Sequence, residues 1–194
     1  MTKLVLVSLA LLVAVMTGCD GDRGSGSTPA ATAATAARGH AMTKPDVMTV
    51  PYDARFIDEM IPHHQAAIDM GREALAKAEH PEIHDLAQRI IASQQGEIDQ
   101  MKAWRAAWYP GVAATPMSDM HPGMKGLSSD ASMPFDDRFI DAMIPHHEMA
   151  VDMATKARTQ AEHAEIKDLA GRIVSAQQGE IQQMKDWRSK WFGH

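Results

Sequence analysis

A paired histidine motif occurs twice in this chain of 194 residues. In each copy one methionine lies three residues before the pair and another lies six residues after it, which gives Met60, His63, His64 and Met70, and then Met143, His146, His147 and Met153. Imidazole nitrogen and thioether sulfur together suit copper, especially Cu(I), or silver. The two motifs therefore predict a site for a soft or borderline metal ion, most favourably copper.

Helical spacing indicates which of these side chains point into the protein. At about 100° per residue, Met60 and His64 lie near the centre of the apolar face of a predicted helix, His63 lies to one side of it, and Met70 lies near His63. His64 precedes the turn near His80 by sixteen residues, and Glu97 follows that turn by seventeen. In an antiparallel hairpin the two side chains should therefore face each other. The residues expected on the facing helices are Gln94, Glu97 and Met101 in the first copy, and Gln177, Glu180 and Met184 in the second. Of these, Glu97, Met101, Glu180 and Met184 are further candidate metal ligands.

A buried layer of imidazole, amide and carboxylate groups must find partners. Leaving such groups unpaired costs roughly a few kcal/mol each. Hydrogen bonds within the layer, water or a metal ion would all meet this requirement, and the residues alone do not choose among them. Met101 and Met184 are also compatible with ordinary core packing.

A second group of soft ligands lies between the two copies. The segment 110–134 is rich in proline, glycine, serine and methionine and has no helical periodicity that would explain its methionines as core residues. Its metal-ligand candidates are Met117, Met120, His121 and Met124. We expect these side chains to add to the binding of the same class of ion.

An internal repeat determines the predicted fold. Residues 52–109 align without a gap to residues 135–192 at an offset of 83, with 35 of 58 positions identical. Each copy predicts two helices, about 52–78 and 82–108 in the first, with Pro62 expected to kink the first helix or to join two shorter ones. Two such hairpins predict an all-α four-helix bundle that occupies residues 51–194.

The N-terminal region has a different character. An apolar run of thirteen residues, Leu4–Met16, is too short to span a bilayer and predicts a signal peptide over residues 1–18. Cys19 follows directly and resembles the lipidated cysteine of bacterial lipoproteins. Residues 19–50 are poor in large apolar side chains and predict a flexible tether. We therefore expect a domain of the cell envelope that a lipid on Cys19 anchors to the membrane, with plain secretion as the alternative.

Charge and cysteine content exclude several classes of protein. The net charge of −6 leaves no basic patch for nucleic acid. A single cysteine cannot form an internal disulfide. Asp58 and Asp69 project away from the predicted buried face and are expected to be solvent residues. The sequence does not identify a protein partner.

The repeated motif also supports a resemblance. Phe-Ile-Asp-x-Met-Ile-Pro-His-His, followed by Gln-Gln-Gly-Glu-Ile, resembles the bacterial family called domain of unknown function 305 over Tyr52 to Phe192. The resemblance implies a secreted, ferritin-like protein of two helical hairpins, in which the paired histidines and their companion methionines matter and copper is a candidate ligand. A di-iron centre fits poorly, because Glu59, four residues before His63, corresponds to Ala142 in the second copy.

Three functions remain open on the sequence. The first is a non-enzymatic copper or silver protein for buffering or resistance, which the thioether content favours. The second is a metal-dependent redox enzyme that uses Glu97 and Glu180. The third is a structural or interaction module in which the polar layer only determines how the helices pack.

Overall fold

The computed structural model describes residues 50–115 and 126–194. These ranges contain four α-helices and no strand, namely α1 Tyr52–Lys77, α2 Pro81–Trp108, α3 Phe135–Gln160 and α4 Ala164–Phe192. The predicted all-α bundle of two hairpins is therefore confirmed. None of the helices in this part of the chain has an apolar stretch long enough to cross a membrane. Residues 1–49, with Cys19, and the linker candidates Met117, Met120, His121 and Met124 lie outside the described residues.

Prolines mark the starts of three of the four described helices. Pro51 and Pro134 directly precede α1 and α3, each with φ of −52°, and Pro81 opens α2. A ring that restricts φ near this value is well suited to the first turn, where its missing N–H would have no helical partner. Pro62 lies inside α1, which is one helix and not two. The alternative of a join between two helices at Pro62 is therefore wrong. Proline removes only one backbone hydrogen bond of the helix, and buried helical segments on both sides of Pro62 keep the helix continuous.

Helices α1 and α3 lie side by side and run in opposite directions. The buried carboxylate of Asp53, in the first turn of α1, accepts a hydrogen bond of 2.9 Å from the backbone N–H of His163, which follows α3. Asp136, in the first turn of α3, accepts one of 2.8 Å from the backbone N–H of His80, which follows α1. Each helix start therefore lies beside the end of the other helix.

The second helices of the two hairpins also run antiparallel to each other. Arg89 in the first half of α2 donates to Gln183 near the end of α4 at 3.1 Å. Arg172 in the first half of α4 donates to Gln100 further along α2 at 3.3 Å. Together with the hairpins themselves, these pairs place the helices in a square in which every adjacent pair is antiparallel.

The apolar interior consists of two clusters. The first core half joins the start of α1 and the end of α2 to the end of α3 and the start of α4, and it includes Phe56, Ile57, Met60, Met101, Ala154 and Ile173. The second core half joins the end of α1 and the start of α2 to the start of α3 and the end of α4. It includes Ala67, Met70, Ile90, Phe139, Met143 and Met184. Along α1 and α3 the paired histidines stand between the residues of the two halves.

Candidate metal centre

Four histidines form a buried layer at the middle of the bundle. His63 and His64 come from α1, His146 and His147 come from α3, and none of the four is more than 1% exposed. Consecutive helical residues point about 100° apart. His63 and His146, the inner histidines, therefore face the other hairpin. His64 and His147, the outer histidines, face the partner helix within their own hairpin.

The outer histidines are each held by a carboxylate. The Nε2 atom of His64 lies 2.7 Å from Oε2 of Glu97, and Nε2 of His147 lies 2.8 Å from Oε2 of Glu180. The prediction that Glu97 faces the first pair and Glu180 the second is thus confirmed. When Nε2–H donates to the carboxylate, the unprotonated nitrogen is Nδ1. That atom has no hydrogen-bond partner in either ring.

The inner histidines contact each other across the two repeats. The ring centroids of His63 and His146 are 3.7 Å apart, and the ring planes are inclined by 36°. All four nitrogens of these two rings are buried and have no hydrogen-bond partner. The sequence placed His63 to one side of the buried face of its helix, and it did not indicate that the two rings touch.

Burial keeps the inner rings neutral. Removal from water, with the neighbouring histidines as the second cause, lowers the pKa of His146 to about 3 and that of His63 further still. Neutral imidazole with an available nitrogen lone pair is the form that binds a metal ion. The inner pair is therefore chemically suited to bind a metal ion at neutral pH.

The polar layer is not satisfied by the protein alone. Besides the imidazole nitrogens, the buried amide oxygens of Gln94 and Gln177 have no hydrogen-bond partner. An unsatisfied buried polar group costs about 1–3 kcal/mol. Of the three alternatives that the sequence left open, hydrogen bonds within the layer therefore do not suffice, which leaves water or a metal ion as the partner.

The methionines of one sequence motif do not lie together in the structure. Met60 and Met70 belong to the same copy, but ten residues of helix separate them by about 15 Å along the axis. The structure divides them between the two core halves. The first contains Met60 and Met101, with the partly buried Met153 packed against it, and the second contains Met70, Met143 and Met184. Each half thus collects three thioethers, one from each of three helices.

The layer and its surroundings offer imidazole nitrogen and thioether sulfur as donors. In the part of the chain that the structure describes, no three histidine, cysteine, aspartate or glutamate side chains are arranged to hold a metal ion. The carboxylates that do approach the layer, those of Glu97 and Glu180, contact one histidine each. The combination of neutral imidazole with nearby thioether suits a soft ion better than a hard one.

One aspartate is placed differently from the prediction. Asp58 was expected in solvent, but its side chain is only 9% exposed and forms an ion pair with Arg105 at 2.7 Å. It also accepts a hydrogen bond of 2.9 Å from the backbone of Thr115. The prediction was wrong because Asp58 lies at the edge of α1, where α2 and the residues after it reach over the helix. Asp69 is solvent-exposed, as expected.

Sequence reasoning missed a histidine–aspartate pair at each end of the bundle. The Nδ1 atom of His163 lies 2.8 Å from Oδ2 of Asp53, and its ring stacks on Trp108 at 3.8 Å. His80 pairs with Asp136 in the same way and stacks on Trp191 at 3.9 Å. The signal available in the sequence was the recurrence of aspartate and of Glu-His at matched positions of the repeat.

The chain matches one known protein family over most of its length. The model of the family described as domain of unknown function (DUF305) matches residues 53–188. Among solved structures, CopM in its Cu(II)-bound form is 44% identical, with a TM-score of 0.65 and coverage of 72% of this chain and 97% of that one. The Cu(I)-bound form of CopM is 41% identical with a TM-score of 0.63 and the same coverage.

Other similar proteins extend the comparison. A DUF305 protein from Streptomyces coelicolor is 28% identical, with a TM-score of 0.61 and coverage of 72% of this chain and 93% of that one. Protein L153 of Acanthamoeba polyphaga mimivirus is 41% identical over 51 residues, which are 26% of this chain and 34% of that protein. This chain therefore matches only about a third of the viral protein's length.

Proposed function

This chain belongs to the DUF305 family, and from that premise we propose that it binds a soft metal ion, Cu(I) or Ag(I), in the histidine layer of its bundle. The observation that carries the proposal is the inner pair, His63 and His146. Two neutral imidazoles lie against each other in the interior, and all of their nitrogens lack a hydrogen-bond partner. A metal ion would use the one lone pair that each neutral ring carries and so offset part of the cost of burying the two rings.

The comparisons support copper as the ion. Structures of CopM exist in Cu(I)-bound, Cu(II)-bound and silver-bound forms, and all are at least 41% identical to this chain. That pattern of ions, with silver beside Cu(I), is the one expected for a site of imidazole and thioether ligands. We propose the same class of ion for this chain.

Each group of the layer has a role in this proposal. His63 and His146 supply the nitrogen ligands, one from each repeat. Because no three such side chains of the described residues are arranged around one ion, we assign Nδ1 of His64 and of His147 to additional ions and not to this one. Glu97 and Glu180 do not bind the ion. Their hydrogen bonds hold the outer rings with Nδ1 unprotonated, as carboxylates beside metal-ligating histidines commonly do. The buried methionines of each core half supply thioether ligands from their own side of the layer.

In the cell we propose a binding protein for copper buffering or resistance, located outside the cytoplasm and anchored by a lipid on Cys19. The apolar run Leu4–Met16 and the cysteine that follows it support this location. Mass spectrometry of the protein from a bacterial membrane fraction should find an N-terminal lipidated cysteine, and Cys19→Ser should release the protein into the soluble fraction. A wild-type protein that is soluble and carries no lipid would contradict the anchor but not the metal site.

The test of the metal site is an anaerobic titration of the purified protein with Cu(I), Ag(I), Zn(II) and Fe(II), with bound ions counted by native mass spectrometry. We expect Cu(I) and Ag(I) to be retained and Zn(II) and Fe(II) to be lost on competition with a weak chelator. The variant His63→Leu/His146→Leu should remain helical by circular dichroism and lose most of the Cu(I).

The alternatives predict different results. Preferential retention of Fe(II), with turnover that falls on Glu97→Ala or Glu180→Ala, would favour a redox enzyme. Retention of no metal ion by the wild-type protein would leave a structural module, with water as the partner of the histidine layer. Copper retention that is equal in the wild type and the double variant would place the site elsewhere in the chain.

A further inference from the structure

The proposed site raises the question of how an ion reaches it. His63, His64 and His147 are fully buried, and His146 is 1% exposed. Four of the surrounding methionines are also fully buried, namely Met60, Met101, Met143 and Met184. An ion from solvent therefore cannot meet any of these ligands first. A more exposed ligand must receive it.

Two helical methionines in the described residues remain partly exposed, and both are on α3. Met149 and Met153 have intermediate exposure, whereas the other five methionines of the four helices are buried. Met149 lies three residues after His146, and Met153 lies four residues after Met149. With about 100° per residue, His146, Met153 and Met149 fall within about 60° on one side of α3, with Met149 furthest from the core.

His146, Met153 and Met149 form a stripe along α3, and its position connects it to the proposed metal site. His146 contacts His63 of α1, so the side of α3 that bears the stripe borders the interface between the two hairpins. Met153 packs against the first core half, which holds Met60 and Met101. A thioether at position 149 thus stands at the edge of the bundle, one helical turn from a thioether that reaches the interior.

The other repeat lacks this arrangement. Ala66 occupies the position of Met149 in α1, and Met70, the counterpart of Met153, is only 6% exposed. The repeats are identical at both members of the histidine pair, so the difference concerns the outside of the site and not its centre. Among the described helices, only α3 therefore carries methionines that extend from the buried site to the surface of the bundle.

The carboxylates are the other partly exposed groups that approach the layer. The side chains of Glu97 and Glu180 are 19% and 18% exposed. Carboxylate oxygen is a hard ligand that favours hard ions, whereas thioether sulfur favours Cu(I) and Ag(I). Each carboxylate is also engaged with its histidine. A soft ion should therefore enter by way of the methionines.

We propose that Met149 is the outer ligand of an uptake route for soft monovalent ions, which leads past Met153 and the thioethers of the first core half to the buried histidine layer. This inference rests on the proposed function, because it requires that the layer bind such an ion. Met149 exchanges the ion with solvent and does not belong to the final site. The route is built into the second repeat alone.

The experiment compares Met149→Leu with Met133→Leu in the full-length protein. Both substitutions remove one partly exposed thioether, but Met133 precedes α3 in the linker and lies off the route. Leucine conserves volume, so both variants should fold. Stopped-flow transfer of Ag(I) from a chromogenic chelator gives the uptake rate, and native mass spectrometry gives the ions bound at equilibrium.

We expect Met149→Leu to slow uptake about fivefold or more, which corresponds to a barrier raised by about 1 kcal/mol, with the same number of ions bound at equilibrium. Met133→Leu should leave both quantities unchanged. An unchanged rate in Met149→Leu would overturn the route, as would equal slowing in the two variants. Loss of an equilibrium-bound ion in Met149→Leu would make Met149 a ligand of the final site and also overturn it. If the wild type binds no Ag(I) at all, the proposed function itself fails.

Discussion

His63 of the first repeat lies against His146 of the second, with ring centroids 3.7 Å apart, at the middle of the interface between α1 and α3. The two residues occupy the same position of the internal repeat. Their contact therefore joins equivalent points of the two hairpins, and an ion held by both rings would link the hairpins to each other. Metal binding should accordingly depend on both repeats and stabilise the whole bundle.

Adjacent histidines should differ in their effect on stability. His63→Leu removes a buried ring with no hydrogen bond, whereas His64→Leu removes a ring bonded to Glu97 and leaves that carboxylate without its partner. We expect the metal-free His63→Leu variant to be more stable than the metal-free His64→Leu variant by about 1–3 kcal/mol. Urea denaturation of both variants gives this difference. Equal free energies of unfolding would mean that the inner ring has a partner, such as a bound water molecule.

The metal-free protein should lose stability in mild acid. Because burial lowers the pKa of His146 from an unfolded value of 6.5 to about 3, the unfolded chain binds a proton in this window and the folded chain does not. Stability is therefore greatest above pH 6.5 and falls by about 1.4 kcal/mol per pH unit for this group as the pH decreases. His63 shifts in the same direction.

The measurement is the free energy of unfolding between about pH 7 and about pH 4.5, a window chosen because carboxylates with ordinary pKa values titrate mainly below it. The matched control is His63→Leu/His146→Leu, in which the slope should be much shallower. A wild type and a double variant with the same slope would show that these rings are protonated in the folded protein.

The buried methionines of the two core halves should contribute about equally to Cu(I) binding. Met60→Leu/Met101→Leu changes the first core half, and Met143→Leu/Met184→Leu changes the second. The repeat relates the two pairs, so we expect similar losses of Cu(I) affinity, with each substitution costing less than about 1.5 kcal/mol of stability. Competition with a Cu(I) chelator gives the affinities. Affinity that is unchanged in both double variants would identify the buried methionines as core packing only.

The aspartates at the ends of the bundle should stabilise the contact between the hairpins. Asp53 is 1% exposed and accepts hydrogen bonds from the backbone of Glu162 and from the backbone and ring of His163. Asp53→Asn converts one accepting oxygen into a donor that faces these donors. We expect a loss of about 1–3 kcal/mol.

Thermal unfolding followed by tryptophan fluorescence is a suitable measurement for this variant, because Trp108 stacks on His163. Asp152→Asn, at an exposed position of α3, is the control and should leave the midpoint unchanged. An Asp53→Asn variant as stable as the control would mean that the carboxylate contributes little beyond its replacement amide.

The sequence by itself determined the helices, the hairpins and the pairing of His64 with Glu97. Each of these follows from local quantities, namely a period of about 3.6 residues, a turn near His80 and equal distances from that turn. The repeat then implied the same pairing for His147 and Glu180, and the structure has both. The local feature that the sequence left open was Pro62, where a join between two helices was one alternative and the structure has a single helix.

Only the tertiary structure decided how the two hairpins meet. The contact of His63 with His146, the division of Met60 and Met70 between the core halves and the bond of Asp53 to His163 all cross from one hairpin to the other. Periodicity gives the direction of a side chain around its own helix, but it does not give the neighbouring helix or the relative shift along the axis. Those depend on the packing of the whole interior, and here they place two unpartnered imidazoles against each other.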